Sequence, residues 1–302
     1  MERYMFNEYA DIIPEFSLFQ ESLLNPLPTY LTINRLKVNP TFVVETLRKR
    51  GISLIRASKK YDTLYLAPNL PFPGNLLEYF LGYLHPQALT SAMAAYALDP
   101  EKDTSLLDMC ASPGGKSAHC AQIMENTGII VSNDLYASRH LSLGHTLSRL
   151  GVLNAVLTGY QAQEFPLKQR FGYVMADVPC SGEGRFRKTN EKVQYRKGRG
   201  REKLPDLQKR IILRGFDLLK KNGRMLYSTC TYSPEENESV VDYLLNERDA
   251  DLFPLYPGLN VAPGITDWKG KTYDKRLKCA KRYYPHRVDS VGFFMAGIGR
   301  KQ

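Results

Sequence analysis

The stretch SLLDMCASPGGK, residues 105–116, decides the fold of this chain. Its apolar first half predicts a buried strand, and the paired glycines Gly114 and Gly115 predict a tight turn into a helix. Glycines let the backbone approach a ligand closely, while the N-terminus of the helix points at that ligand. The stretch is neither GxGxxG nor a phosphate-binding Walker loop, because a Walker loop would need glycine at Cys110. The alternative is a tight strand-to-helix turn that binds nothing.

Strand and helix patterns alternate along the chain after residue 85. The predicted strands are SLLDMC (105–110), GIIVSND (128–134), NAVLTG (154–159), GYVMAD (172–177), RMLYSTC (224–230) and a late SVGFFMAGIG (290–299). The predicted helices cover about 116–124, 138–150, 206–220 and 234–246. This order is typical of an α/β protein, in which helices cover both faces of a parallel sheet. Such a sheet binds its ligand outside the carboxyl ends of its strands.

The residues before this region have a different pattern. A helix-like TFVVETLRKR closed by Gly51 precedes an extended SLIRASKKYDTLYLA and a turn, PNLPFPGN. We therefore predict a small α+β N-terminal domain over 1–85 and an α/β domain over 86–302. The N-terminal part has nine basic and eight acidic residues, so any contact it makes with a polyanion would depend on shape or on few charges.

Composition places the chain among globular proteins, with 43% hydrophobic and 24% charged residues in 302. No apolar run approaches the roughly 20 residues needed to cross a bilayer. The start MERYMFNEYADIIPEF has acidic residues where a signal peptide has basic and apolar regions. We therefore expect a cytoplasmic protein without membrane contact, and no obligate protein partner is evident.

Positive charge is concentrated in two stretches of a chain whose formal net charge is +10. Residues 185–203 include nine basic and two acidic residues, and residues 269–287 include eight basic and one acidic. Four tyrosines are interleaved with this charge: Tyr195, Tyr273, Tyr283 and Tyr284. Such segments suit a phosphate backbone and unstacked bases. The alternative is a solvated basic loop that only aids solubility.

Cysteine usage argues against disulfides and metals. The five cysteines are an odd number in a chain without a secretory signal, and none forms a CxxC pair. Zinc binding therefore has little support, and no metal is expected. Two cysteines stand out, because Cys180 and Cys230 occupy turns at the ends of predicted strands rather than apolar core positions. Asp177 also lies at the end of a predicted strand. Asp134 lies about 20 residues beyond the glycines and is either a ribose ligand or a helix N-cap.

Three motifs, MCASPGGK, DVPCSGEG and YSTCTYSPEENE, together resemble the Nol/Nop/Sun (Fmu) family of RNA cytosine-5 methyltransferases. NPLPTYLTINRLK and GYLHPQALTSAMAA extend the likeness over most of the chain, and SNDLYASR looks most like the bacterial small-subunit rRNA branch. The resemblance implies a Rossmann-like class I methyltransferase sheet, S-adenosylmethionine as cofactor, and RNA as substrate. Ribosomal RNA is the first expectation and tRNA the second. A non-catalytic RNA-binding ribosome-assembly factor is the alternative of another class, which the intact thiols and Lys116 argue against.

The resemblance also implies residue roles. The loop around the methionine and ribose of the cofactor is Cys110, Ala111, Ser112, Pro113, Gly114, Gly115 and Lys116. The resemblance also places Asp134 on the ribose hydroxyls, gives Arg139 a cofactor role, and puts Asp177 between the cofactor and the target base. Relatives usually offer an acid to the adenine where this chain has Tyr160-Gln161, so Gln161 is the candidate for that contact.

Methylation at C5 of cytosine requires these residue types whether or not the resemblance holds. C5 of cytosine is too weak a nucleophile to take a methyl group directly, so a thiolate must first add at C6. We predict Cys230 as this nucleophile, with its pKa lowered by nearby cations, backbone donors or the N-terminus of the helix expected after Pro234. Asp177 is the predicted hydrogen-bond partner of the base. The resemblance gives Cys180 a role in product release, although DNA cytosine-5 methyltransferases attack with a cysteine in that motif. Three basic residues that follow are expected to hold the RNA strand: Arg185, Arg187 and Lys188.

Overall fold

A central sheet built on the predicted parallel strands organises the protein, whose structure is a computed structural model that describes residues 5–187 and 203–300. In those residues the strands are β1 (Tyr30–Ile33), β2 (Ile55–Arg56), β3 (Leu64–Leu66), β4 (Leu84–Pro86), β5 (Ser105–Asp108), β6 (Ile129–Asn133), β7 (Ala155–Thr158), β8 (Phe171–Asp177), β9 (Leu219–Thr229), β10 (Ala250–Phe253), β11 (Ala262–Pro263), β12 (Asp267–Trp268), β13 (Lys271–Thr272), β14 (Lys281–Tyr283) and β15 (Phe293–Arg300). The helices are α1 (Phe16–Ser22), α2 (Pro40–Lys49), α3 (Leu77–Phe80), α4 (Leu89–Leu98), α5 (Gly115–Ile123), α6 (Ala137–Arg149), α7 (Leu204–Asp217), α8 (Glu238–Glu247) and α9 (Pro285–Val288).

The central sheet has the strand order β11-β14-β15-β9-β8-β5-β6-β7, and β10 pairs with β15. Strands β5 to β9 pair in parallel, whereas β15 runs antiparallel to β9. The chain builds β5, β6 and β7 outward and then returns to place β8 on the other side of β5. The loops after β5 and β8 therefore diverge and leave a crevice at the carboxyl ends of the strands. The predicted α/β fold is confirmed.

Burial explains why these segments are strands. Leu106 and Leu107 in β5, and Val174 and Met175 in β8, are fully buried, as expected for strands that are covered on both faces. The predicted boundaries are close but not identical. Helix α7 ends at Asp217 rather than Lys220, because β9 begins at Leu219, and α8 begins at Glu238 rather than Pro234.

The N-terminal unit is a second, antiparallel sheet with the order β2-β3-β1-β4, packed against α2. Pro40 stands at the start of α2, where the Asn39 side chain accepts a hydrogen bond from the Thr41 N–H. The helix stops at Gly51, which has a φ of +78°. The first residues instead join the core beside the central sheet, where Phe6 and Phe19 contact the ring of Tyr232. The predicted division at 85/86 stays a prediction.

No helix in the described part of the chain combines the length and the apolar composition needed to cross a bilayer.

A buried ion pair joins β14 to the start of α8. The guanidinium of Arg282 donates to the Glu238 carboxylate (Nε to Oε1, 2.7 Å) and to the Tyr232 carbonyl at 2.9 Å. Both charged side chains are almost completely buried, at 2% and 0% exposure. Removing one partner of such a pair leaves an uncompensated charge, which costs far more than the pair itself contributes.

Arg282→Met is therefore expected to lower the free energy of unfolding by about 3–5 kcal/mol, measured by chemical denaturation. Arg276→Met is the control, because Arg276 forms partly exposed pairs with Asp251 and Asp274, and its loss should cost about 1 kcal/mol or less. Equal losses in the two variants would contradict this account of the Arg282 pair.

Candidate active site at the carboxyl ends of the strands

A cavity of about 390 Å³ opens in the crevice where the loops after β5 and β8 diverge. Its lining residues are His85, Pro86, Gln87, Ala88, Ser91, Asp108, Cys110, Ala111, Ser112, Pro113, Gly115, Lys116, Asp177 and Arg185. They come from the loop after β5, the end of β8, and the segment that joins β4 to α4. A concave site of this size can enclose most of a small ligand.

The loop after β5 forms one wall of this cavity, as the sequence predicts for a ligand-binding loop. Gly114 has a φ of +102° at the start of α5 and lies behind the wall, where a Cβ would meet Leu143 at 3.0 Å. A Cβ on Gly115 would come within 2.9 Å of the His85 Nε2 atom across the cavity. The two glycines are therefore needed for the turn and for the close approach of the walls.

Asp108 is a cavity residue that the sequence analysis does not single out. Its side chain is 1% exposed, and Oδ2 accepts a 2.6 Å hydrogen bond from the Ser117 hydroxyl. Its other oxygen, Oδ1, has no hydrogen-bond partner among the described residues. Burial raises the pKa of this carboxyl to about 6. The available signal was its position, because Asp108 is the acidic end of an apolar strand directly before the glycine loop.

Lys116 and Asp177 form an ion pair at the cavity wall. The Lys116 Nζ lies 2.7 Å from Asp177 Oδ2, and the Ser228 hydroxyl donates to Asp177 Oδ1 at 2.7 Å. Burial alone would lower the pKa of Lys116, but the adjacent Asp177 carboxylate outweighs it, and the pKa is raised. A carboxylate held by a cation and a hydroxyl is positioned to meet a polar ligand without rearranging.

The two predicted thiols lie side by side. The sulfur atoms of Cys180 and Cys230 are 3.3 Å apart, and the Cys230 N–H donates to the Cys180 sulfur. The hydrogen atom between the two sulfurs can belong to either cysteine. When Cys180 donates it, the pKa of Cys230 is lowered, with further help from the cations of Arg185 and Lys116. In that arrangement the same contact and burial raise the pKa of Cys180. The two cations therefore favour the thiolate at Cys230.

Two buried glutamates hold the loops that carry these thiols. Glu236 Oε2 accepts hydrogen bonds from the Ser181 N–H and the Gln208 amide, each at 2.9 Å. Glu183 Oε2 accepts from the Thr231 hydroxyl at 2.8 Å. The predicted helix follows the thiol but begins at Glu238 rather than at Pro234. Of the influences predicted to lower the Cys230 pKa, the cations of Arg185 and Lys116 act in that direction, and the effect of the helix N-terminus stays a prediction.

Two of the remaining predicted cofactor residues, Asp134 and Arg139, support the glycine loop from behind. Asp134 is buried, accepts a hydrogen bond from the Ser112 N–H at 3.2 Å, and pairs with Arg139 at 3.2 Å. Arg139 also donates to the Ser112 carbonyl at 2.8 Å. Gln161 is exposed, and its side chain accepts from the Gln163 amide. None of the three predicted residues is among those that line the cavity in the described structure.

The three predicted RNA-binding residues differ in their exposure and in whether the structure describes them. Arg185 is exposed and lines the cavity. The prediction for Arg187 is wrong in this structure, because its side chain is 2% exposed and donates to the Ser290 and Phe186 carbonyls. A guanidinium used in this way cannot meet a phosphate. Lys188 lies outside the described residues, as does most of the basic stretch 185–203.

The tyrosines of the second basic stretch are structural. Tyr273, Tyr283 and Tyr284 are buried, at 6% exposure or less, so the prediction that they stack on bases is wrong for them. Alternation with basic residues in sequence does not show which side chains face the core. Tyr195 lies outside the described residues.

The contact between the thiols predicts a pH effect. In Cys180→Ala the hydrogen bond that stabilises the Cys230 thiolate is lost, so the pKa of Cys230 should rise and its alkylation by iodoacetamide should shift to higher pH. The measurement is mass spectrometry of the Cys230 peptide as a function of pH. Cys279→Ala is the control and should leave the profile in place. A profile that Cys180→Ala does not shift would contradict the assignment of the thiolate.

Comparison with known proteins agrees with this geometry. Residues 95–299 match the model of the 16S rRNA methyltransferase RsmB/F family. The human 28S rRNA (cytosine(4447)-C(5))-methyltransferase is 33% identical over 302 residues, which cover 97% of this chain but only 37% of the human protein. The tRNA (cytosine(49)-C(5))-methyltransferase of Pyrococcus abyssi is 35% identical, over 93% of this chain and 90% of its own length.

A solved structure shares the fold over nearly the whole chain. The methyltransferase homolog protein from Pyrococcus horikoshii has a TM-score of 0.82 and 31% sequence identity, covering 94% of this chain and 90% of its own. The predicted class I methyltransferase architecture and the predicted family are thereby confirmed. The chain belongs to the 16S rRNA methyltransferase RsmB/F family.

Proposed function

We propose that the protein transfers a methyl group from S-adenosylmethionine to C5 of a cytosine in RNA. One observation carries the proposal: a thiol with a lowered pKa, Cys230, lies against a second thiol and near the Lys116–Asp177 pair, which lines a cavity walled by a glycine loop. Cytosine-5 methylation requires a thiolate and a polar group for the base. Family membership supports the same chemistry.

The residues at the cavity fit this cofactor. S-adenosylmethionine carries an ammonium group, ribose hydroxyls and an exocyclic amine, all of which donate hydrogen bonds. The cavity offers two buried acceptors without partners in the described residues, Asp108 Oδ1 and Gln87 Oε1, and such acceptors are costly unless a ligand or water meets them. The loop from Cys110 to Lys116 would hold the methionine and ribose. When bound, the cofactor supplies an electrophilic methyl group.

The chain's own residues prepare the base for that group. The Cys230 thiolate adds to C6 of the cytosine, forming a carbon–sulfur bond and raising the electron density at C5. The Asp177 carboxylate accepts a hydrogen bond from the exocyclic amine of the ring, and Lys116 holds that carboxylate in place. A proton shared between Asp177 and N3 stabilises the charge that develops on the ring during attack. After methylation C5 loses its proton to a base and the C6–sulfur bond breaks, which returns Cys230 as a thiolate. Cys180, in contact with that sulfur, assists this release.

The target base must leave its stack to reach Cys230. A cytosine inside a duplex cannot present C6 to a thiol, so it must be single-stranded or flipped, at a cost of a few kcal/mol. Arg185 is exposed at the cavity rim, where its cation can contact a phosphate of the extruded nucleotide and offset part of that cost.

Ribosomal RNA is the first substrate class that we propose, in line with the family model and the human relative. Transfer RNA is the second, because the tRNA enzyme of P. abyssi matches this chain over 90% of its length. The cytoplasmic location expected from the sequence stays a prediction.

Labelled methyl transfer tests the function. Purified protein incubated with S-adenosylmethionine labelled in its methyl group, and with total RNA from cells that lack the protein, should transfer label to RNA. The size fraction that carries the label distinguishes rRNA from tRNA, and bisulfite sequencing of that fraction locates the cytosine. Absence of label from every fraction and from assembled ribosomal subunits would favour the non-catalytic alternative.

A further inference from the structure

A second cavity, of about 470 Å³, lies between the N-terminal unit and helices α4 and α5. We call it the basic cleft. Its lining residues are Arg35, Arg56, Lys60, Tyr61, Asp62, Thr63, Tyr96, His119 and Gln122. It shares no lining residue with the candidate active site, and nothing in the proposed reaction uses it.

Charge in the basic cleft is not neutralised. Arg35 pairs with Asp62, the acid of the cleft. Arg56 and Lys60 are exposed, and neither has a carboxylate within ion-pair distance among residues 5–187 and 203–300. The Lys60 ammonium lies over the ring of Tyr61, 5.1 Å from its centroid, which leaves its charge in place. Two cations that no carboxylate neutralises in the described structure attract a polyanion to this concave surface, in an N-terminal part that is otherwise nearly neutral.

Aromatic rings accompany these cations. Tyr61 and Tyr96 stack with ring centroids 3.7 Å apart, and the Tyr96 hydroxyl contacts the Thr63 hydroxyl at 2.6 Å. A smaller adjoining cavity shares Lys60 and both tyrosines, and it adds Arg224, Asp99 and Tyr256, a ring that is 78% exposed. Cations along a groove with aromatic rings are typical of surfaces that bind single-stranded nucleic acid.

The basic cleft lies next to the candidate active site. His119 lines the cleft and follows Gly115, which lines the catalytic cavity, by four residues of α5, or about 6 Å along the helix. His119 is 3% exposed, its Nδ1 has no hydrogen-bond partner in the described structure, and burial lowers its pKa to about 3. A positive charge on His85, which lines the catalytic cavity, would lower the pKa of His119 further. The two sites are therefore neighbours.

We propose that the basic cleft binds a nucleotide of the same RNA that carries the target cytosine, with its phosphate held by Arg56 and Lys60. This inference rests on the proposed function, because it takes the ligand to be the substrate RNA. The exposed cations suit a phosphate. Tyr61 and Tyr96 stack on each other, and Tyr96 also contacts His119. The ring that suits a base is therefore the exposed Tyr256 of the adjoining cavity. The N-terminal unit thus extends the footprint on the RNA beyond the catalytic cavity.

RNA binding by Arg56→Ala/Lys60→Ala tests the proposal. Dissociation constants are measured without S-adenosylmethionine over a range of salt concentrations, on an RNA fraction that wild type binds. The slope of log Kd against log salt should fall by about 0.7 to 0.9, the value for one phosphate contact, and RNA binding should weaken about tenfold. KM for the long RNA should rise in parallel, with kcat unchanged. Lys60→Arg, in a wild-type background, should retain binding.

Lys49→Ala/Lys168→Ala is the matched control, because it removes two exposed cations that line neither cavity. An unchanged salt slope in the cleft variant, or an equal loss in the control, would overturn the proposal. So would a fall in kcat without a change in KM. Because binding is measured without methyl transfer, wild-type protein that binds RNA through these residues but transfers no methyl group would refute the proposed function and leave the cleft assignment in place.

Discussion

Cys230→Ala is expected to abolish methyl transfer, to below about one ten-thousandth of the wild-type rate, because it removes the thiolate that adds to C6 of the base. Cys180→Ala is expected to have a different effect. It leaves the nucleophile in place, so the carbon–sulfur bond forms, but it removes the group in contact with that sulfur during release. A covalent complex of protein and RNA should therefore accumulate.

The two variants are compared by denaturing gel electrophoresis with labelled RNA, together with single-turnover methyl transfer. Only Cys180→Ala should give a band that survives denaturation and disappears on RNase treatment. The lowered pKa at Cys230 and raised pKa at Cys180 favour this assignment. An adduct in Cys230→Ala and none in Cys180→Ala would reverse the roles, and would return the site to the order used by DNA cytosine-5 methyltransferases.

Asp177→Asn is expected to lower kcat by about 10²–10³, the usual effect of removing one preorganised polar group from a reacting centre. The amide preserves the volume but not the charge, so it loses the ion pair with Lys116 and the carboxylate that meets the base. Single-turnover rates with saturating RNA measure this directly. Ser228→Ala is the matched control, since it removes only the hydroxyl that donates to Asp177.

The control should cost about tenfold or less in rate. Both variants should unfold within about 2 kcal/mol of wild type, because the carboxyl side chain is partly exposed. A rate for Asp177→Asn equal to that of Ser228→Ala would mean that the carboxylate only positions its neighbours. The role assigned to it on the base would then fail.

The parallel sheet could be predicted because its signals are local. Each of its strands is a short apolar run that ends in a polar residue or a turn, as at Asp108 and Asp177, and the helices between them have clear periodicity. The N-terminal contacts could not be predicted in this way. Tyr9 donates its hydroxyl hydrogen to Glu183, 174 residues away, and no local pattern shows such a contact.

The candidate site was predictable where a strand end places a side chain on the rim, as for Cys180, Cys230 and the glycine loop. It was not predictable where burial decides the outcome. Arg187 lies in a basic stretch, yet its guanidinium is held by the Ser290 carbonyl, 103 residues away. In the sequence Asp108 is simply the last residue of a strand, and only the fold leaves its Oδ1 atom without a hydrogen-bond partner among the described residues. Sequence shows which residue types are present, and tertiary packing determines which of them meet.

The central claim is that the Cys230 sulfur forms a bond with C6 of the target cytosine. RNA with 5-fluorocytidine at the target position tests this bond most directly. A base can remove a proton from C5 but cannot remove fluorine in the same way. The step that restores the ring is therefore blocked after methylation, and the carbon–sulfur bond persists. Mass spectrometry of the digested wild-type complex should find a methylated fluorinated nucleotide on the peptide that contains Cys230. A nucleotide on the Cys180 peptide, or turnover of the fluorinated RNA without any adduct, would contradict the account.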